Sequence, residues 1–283
     1  MRRLILLLAA LLPATTYAQT TDKVLQRIRD TKTVRIAYRT DVPPFSVEKG
    51  GQPAGYSVDL CKRVATSIEQ QLKLESLAVK WVPANVQNRL DIIRKGQADM
   101  ECGTTTATLA RMEQVDFSNP VWVDVTGVIV RKSTGVQSIG GLAGKSIAVV
   151  AATPNQKALE ETLKKGLVNA KVVPAKTYEE AIALLEGGKV DALAAGRTTL
   201  EGLGTKIKDV SQYGMLDEDI GYLPYSIVLP LGANGLRLAV NRALSQIYDS
   251  NAIAEIFRGT FGPNAKPSPA LVVMYRLNVY PEQ

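Results

Sequence analysis

The chain contains no histidine. That removes the commonest metal ligand and the commonest general base at neutral pH. Cysteine is almost as scarce, limited to Cys61 and Cys102. Long apolar runs are missing as well. The longest, Leu4 to Leu12, is too short to span a bilayer, and no later segment is long and apolar enough. There is no block of lysine and arginine either. The formal charge of +7 is spread along the chain, which favours mild attraction of anionic solutes and argues against a nucleic-acid surface. A glycine-rich phosphate loop is also lacking. The stretch Gly140-Gly141-Leu142-Ala143-Gly144-Lys145-Ser146 precedes its strand, lacks the glycine-to-lysine spacing and has no following helix, so it reads as a turn. No cofactor or metal is implied.

What is present begins with MRRLILLLAALLPATTYA. Two arginines, a short apolar stretch and the ending Thr16-Tyr17-Ala18 read as a secretory signal peptide, residues 1–18, with cleavage expected after Ala18. No cysteine follows the apolar stretch, so no lipid anchor is read. Loss of Arg2 and Arg3 lowers the formal charge to +5. A soluble, exported chain is expected. Its two cysteines would enter an oxidising compartment. A Cys61–Cys102 bridge and two buried free thiols are the competing readings, and compartment and even count favour the bridge.

Beyond the leader, strands alternate with helices. A polar helix over 22–31 precedes an apolar strand, Val34–Tyr38. Residues 56–74 place Val58, Cys61, Val64, Ala65, Ile68 and Leu72 at helical spacing. Strands are predicted at 79–82 and 98–102, with a short helix over 85–95 between them. A β-branched run, Val121–Arg131, leads into a second unit. That unit has strands ending at Val150, at 171–174 and at 190–195, with helices over 155–166 and 178–187. Both units place an aspartate near the start of their third strand, Asp99 and Asp191. Residues 227–230 read as extended, 236–250 as helix, and the proline-containing tail from 267 as a segment packed on the surface. This grammar predicts an α/β fold with largely parallel sheets. The segment after Leu229 is too short for a third domain and is expected to return to the first. Two lobes follow, joined by crossings near Gly127–Arg131 and Tyr225–Leu229, with a cleft between them suited to a ligand.

One motif calls for chemistry. In ECGTTTATLARMEQVDFS, residues 101–118, a threonine cluster precedes a lone arginine. Local chemistry leaves two readings open. One is a strand end followed by a threonine-capped, solvated helix. The other is an anion site of hydroxyls and backbone N–H groups, closed by Arg111 on a carboxylate.

Several segments, in order, carry a resemblance: YRTDVPPFS (38–46), GYSVDLC (55–61), QNRLDIIRKGQADMECGTTTATLAR (87–111), VDFSNP (115–120), LAGKSIAVV (142–150), DALAAGRTTL (191–200) and residues 236–262. Over nearly all of the mature length the chain resembles the periplasmic solute-binding proteins of polar amino acid ABC transporters (family 3), and among them the glutamate/aspartate-binding branch. The resemblance implies the two-lobed periplasmic-binding-protein fold of type II with a two-crossing hinge. Lobe 1 would be residues 19–128 with 229–283, and lobe 2 residues 129–228. It implies a monomer in the periplasm that captures a small acidic solute and delivers it to a membrane permease. It implies that Thr104, Thr106 and Arg111 bind the ligand α-carboxylate and that Arg39 and Arg89 bind its side-chain carboxylate. Thr153 would add a donor from lobe 2, and Tyr178 would stand where the glutamate branch has a histidine.

One departure stands out. Where amino-acid binders of this family place an aspartate on the ligand ammonium, this chain has Ala194-Ala195-Gly196-Arg197. A buried ammonium without a counter-charge is costly. An amine-free dicarboxylate or keto acid therefore competes with glutamate or aspartate as ligand, unless another acid such as Glu101 takes over. On this reading Gly196→Asp improves glutamate binding. Two further functions are weighed. A dehydratase acting on cyclic acids, known on this fold, would have to use Glu101 or Tyr178 as its acid or base. A sensor module for a receptor would be expected to carry a membrane segment or a fused domain, and neither is read here.

Overall fold

A computed structural model of the chain describes residues 22–282, so the expected leader lies outside the described residues. The Asp22 carboxylate accepts from the N–H groups of Val24 and Leu25 and caps helix α1 (Lys23–Thr31). Strand β1 (Thr33–Arg39) follows. A small antiparallel sheet comes next, made of β2 (Asp41–Val42), β3 (Ser46–Lys49) and β4 (Gln52–Ala54). Then come α2 (Tyr56–Gln71), β5 (Ala78–Ala84), α3 (Arg89–Arg94), β6 (Met100–Cys102) and α4 (Leu109–Met112). Strand β7 (Asp116–Arg131) leads into the second lobe: β8 (Ser146–Val150), α5 (Pro154–Lys165), β9 (Lys171–Ala175), α6 (Tyr178–Glu186), β10 (Ala192–Gly196), α7 (Arg197–Leu203) and β11 (Tyr213–Met215). Strand β12 (Ile220–Leu229) returns to the first lobe, which ends in α8 (Asn234–Tyr248), α9 (Ala252–Phe261) and α10 (Pro269–Leu277).

The large sheet runs β5-β1-β6-β12-β7-β10-β8-β9, with β11 beside β7. Within each lobe the three-strand set is parallel, β5-β1-β6 in one and β10-β8-β9 in the other. The antiparallel ribbon of β7 and β12 joins them. Asp116 faces Leu229 at one end and Thr126 faces Ile220 at the other, and from Thr126 onward β7 pairs with β10. The ribbon's register slips between Tyr225 and Ser226, beside Pro120. Proline cannot donate to a ladder, so a bulge is where it is tolerated.

The aspartates at the third strands have matching jobs. Asp99 accepts the N–H of Arg35 at 2.7 Å and Asp191 accepts that of Ser146 at 2.8 Å. Each ties the entrance of its lobe's third strand to the beginning of the first. The core follows the strand pattern. In lobe 1, Ile36, Leu60, Ile68, Leu236 and Leu244 fill one face of the sheet, while Ala37, Ile93, Phe117 and Val228 fill the other. Lobe 2 has the same two-faced arrangement. Cys61 on α2 and Cys102 on β6 form a disulfide, with Cα atoms 6.4 Å apart.

The tail differs from the sequence expectation in being helical. Pro269 stands in the first turn of α10, where its missing N–H costs nothing, and Ser268 caps the helix by accepting from Leu271 at 3.2 Å. Leu271, Met274 and Tyr275 are buried in the lobe 1 core, and the Tyr275 hydroxyl meets that of Tyr56 at 2.7 Å. Tyr56 is thus a core residue, as is Phe45, whose ring lies edge-on to Tyr56, Trp122 and Tyr225.

Candidate functional site

The chemistry-bearing residues gather just beyond the carboxyl ends of the parallel strands. Arg39 ends β1, Arg89 follows β5, and Thr104 to Thr106 follow β6. From lobe 2, Thr153 follows β8, Tyr178 follows β9 and Thr198 follows β10. In open α/β sheets this is where ligands bind.

Three guanidinium groups share one neighbourhood. Arg39 is buried and donates from Nε and Nη2 to the two oxygens of Asp41 at 2.8 and 2.9 Å. Arg89, also buried, donates through Nη1 to the Val86 carbonyl, while its Nε has no partner among the described residues. Burial pulls the Arg89 guanidinium down to about 9; repulsion from Arg39 adds to this and Glu101 opposes it. Arg111 donates through Nη1 to the Thr106 carbonyl at 2.9 Å; burial lowers its pKa and Glu101 opposes the shift. Of five N–H donors per guanidinium, each arginine gives only one or two to the protein.

The hydroxyls divide. Thr106 is buried and bridges to Tyr225, Thr104 is half-buried, and the fully buried Thr105 Oγ1 has no partner among the described residues. Thr108 caps α4 by accepting from the Arg111 N–H at 3.3 Å, so capping and a lone arginine coexist in this motif. Thr153 caps α5: it donates to the Val150 carbonyl at 2.7 Å and accepts from the Gln156 N–H at 3.3 Å. Its hydroxyl hydrogen is spent inside its own lobe. Tyr178 is buried at the meeting of the lobes. Burial raises its pKa, Arg39 and Arg89 pull it down, and Asp41 and Asp124 push it up. Arg197 serves the fold, donating to Asp219 and to the Leu216 carbonyl.

Two buried acids complete the cluster. Both oxygens of Glu101 lack a hydrogen-bond partner among the described residues; burial raises its pKa, and the charges of Arg89, Arg39 and Arg111 pull it back. Asp124 lies on β7 and sequence reading missed it. The signal was there: a lone acid within the apolar run VWVDVTGVIVR. Its Oδ1 accepts from the N–H of Val125 at 3.0 Å and from the N–H and hydroxyl of Thr198 at 3.3 and 3.1 Å. Its Oδ2 accepts from the Tyr225 hydroxyl at 3.0 Å. A Cβ at position 196 would meet that hydroxyl and lie 2.6 Å from Asp124 Oδ2. The expectation that Gly196→Asp improves binding is therefore corrected, because the space is already filled by an acid from the neighbouring strand.

Burial raises the Asp124 pKa above its ordinary value; the hydrogen bonds from Thr198, Val125 and Tyr225 oppose the shift. Well below the ordinary aspartate pKa both folded and unfolded chains hold this proton. As pH rises from there through the folded-state value, the unfolded chain ionises first and stability is lost. Asp124→Asn removes that loss. Thermal melts without ligand are expected to show the variant gaining on the wild type between pH 4 and pH 7. A gap that does not change with pH would contradict this.

The lobes are in contact over the cluster. Val42 of lobe 1 is buried in the lobe 2 core with Ile182, Leu200 and Leu203. Gly202 has no Cβ, and one would collide with the Pro43 backbone. A groove of about 640 Å³, lined by Asp41, Asn85, Tyr178, Glu179 and Lys206 among others, opens at the edge of this contact. Among the described residues, no group of three or more His, Cys, Asp or Glu could hold a metal ion.

With this geometry in place, the comparisons with known proteins agree with one another. Residues 34–263 match the family model of bacterial extracellular solute-binding proteins, family 3. The chain is similar to an L-glutamate/L-aspartate-binding protein of Pseudomonas aeruginosa, 26% identical over 89% of this chain and 84% of that protein. A glutamate/aspartate import solute-binding protein of Escherichia coli is 23% identical over 88% of this chain and 83% of its own length. Among solved structures, an ancestral amino acid-binding protein described as a precursor of cyclohexadienyl dehydratase superposes with a TM-score of 0.71 at 23% identity, covering 84% of this chain and 99% of its own.

Proposed function

The chain belongs to family 3 of the bacterial extracellular solute-binding proteins, and on that premise we propose that it captures a small acidic amino acid of the glutamate/aspartate kind in the periplasm and delivers it to an ABC permease. One observation carries the acidic part of this reading: Arg39, Arg89 and Arg111 lie near one another around Glu101, each with donors to spare. A guanidinium fork matches a carboxylate, and two carboxylates need more than one fork. Thr104 and Thr106 complete the α-carboxylate cage with Arg111, Arg39 and Arg89 take the second carboxylate, and Tyr178 and the backbone N–H of Thr153 close from lobe 2. The working lobes are residues 19–128 with 229–283 and residues 129–228, rocking on the β7–β12 ribbon as a monomer.

Gly196 supports a second reading, an amine-free diacid or keto acid. Catalysis is not part of the proposal. Tyr178 is pushed towards its protonated form and is not a ready base at neutral pH, and the arginines around Glu101 suit the holding of an anion. The test is a thermal-shift screen of the mature protein with glutamate, aspartate, glutamine, succinate, 2-oxoglutarate and cyclic acids. A ligand at a hundred times its Kd adds about 2.7 kcal/mol. Glutamate or aspartate is expected to give the largest shift. No shift with any acid would sink the reading.

A further inference from the structure

Asp124 is 3% exposed, yet no lysine or arginine hydrogen-bonds to it; every partner it has is a neutral hydroxyl or a backbone N–H. That distinguishes it from Glu101, whose surroundings are cationic. The two acids face opposite needs. Glu101 already has counter-charge from Arg89, Arg39 and Arg111. Asp124 is a buried carboxylate still lacking one, and such a group is stabilised strongly by a cation brought to it.

The position of Asp124 fits that need. Its partner Tyr225 bridges to Thr106 of the carboxylate motif, and Tyr178 feels Arg39, Arg89 and Asp124 together, so the acid stands beside the arginine cluster. Its Oδ2 lies 2.6 Å from where a side chain at 196 would begin. Strands β7 and β10 are neighbours there, with Gly196 opposite Thr126. Oδ1 is engaged by three donors and Oδ2 by one, which leaves Oδ2 able to accept again.

Resting on the acidic-solute reading above, we propose that Asp124, held by Tyr225 and Thr198, is the counter-charge for the ligand's ammonium, and that Gly196 is small so that this acid can reach the cleft from the adjacent strand. The ligand is thereby an acid that carries an amine. The amine-free alternative would leave Asp124 buried and unpaired beside the bound anion.

L-glutamate and glutarate differ only in the amine, so calorimetric titrations of both into wild type and Asp124→Asn test the assignment. Wild type is expected to prefer glutamate by about 100-fold. Asp124→Asn is expected to lose that preference by weakening glutamate while glutarate holds or tightens. Glu101→Gln is the companion variant, expected to move both ligands together. The inference is overturned if Asp124→Asn binds glutamate like wild type or loses both ligands equally, or if Glu101→Gln alone erases the preference. Wild type that binds glutamate and glutarate equally refutes the Asp124 role and leaves the acidic-solute reading standing. Wild type that binds neither, nor any other acid of the screen, refutes that reading itself. Near-ultraviolet circular dichroism of each variant separates loss of the site from loss of the fold.

Discussion

Arg111→Ala is expected to weaken binding of an acidic ligand by roughly 1000-fold. The side chain gives the protein one backbone contact, to the Thr106 carbonyl. Its removal therefore leaves little unsatisfied in the unliganded fold. In the bound state the loss is different in kind. Truncating one member of a buried, hydrogen-bonded charge pair strands the other, and this costs about 2 to 5 kcal/mol. Arg111→Lys is expected to fail nearly as badly, because a point charge cannot reproduce a planar fork. Calorimetry on the two variants, beside a melting curve for each, checks both halves. Wild-type affinity in Arg111→Ala would mean that the carboxylate is held elsewhere. A large drop in melting temperature without ligand would mean that Arg111 is structural.

Reduction of the Cys61–Cys102 bridge is expected to cost about 4 kcal/mol, from the entropy of a closed loop of 41 residues. The loop it closes contains the C-terminal two-thirds of α2 and all of β5, α3 and β6, and both cysteines are buried in the lobe 1 core. Cys102 also lies one residue after Glu101 and two before Thr104, so the bridge anchors the strand end that presents the carboxylate site. Denaturant melts with and without reductant, and of a Cys61→Ala/Cys102→Ala double variant, should show the loss twice over. If reductant destabilises the wild type but leaves the double variant untouched, the effect belongs to the bridge. Equal stability in all samples would contradict the expected contribution.

The parallel core was legible in the sequence because buried parallel strands read as short apolar runs between amphipathic helices. Val34–Tyr38 and Val190–Ala195 were readable for that reason, and the structure extends or trims them by a residue or two. The crossing ribbon was only half legible. Pro120, Gly221 and Pro224 look like breakers, yet β7 already begins at Asp116 and β12 at Ile220. A ribbon with register slips tolerates these residues, and local propensity does not report a slip. The tail helix was hidden likewise by Pro269, which is acceptable in a first turn.

The site divides along the same line. Arg39, Arg89, Thr106 and Arg111 follow strand ends in motifs that can be read along the chain, and the structure brings the three arginines into one neighbourhood. Asp41 and Asp124 could not be assigned that way. Asp41 matters because β2 turns it back onto Arg39, and Asp124 because β7 runs beside the glycine that ends β10. Those are pairings across strands and turns, and they emerge only with the fold.

The most direct measurement is a calorimetric comparison of L-glutamate and L-glutamine on the mature wild-type protein. The two ligands share the ammonium and the α-carboxylate and differ in the second carboxylate, which Arg39 and Arg89 are proposed to hold. Glutamate is expected to bind at least about 100-fold more tightly. Glutamine binding as tightly as glutamate would contradict an acid-reading cleft.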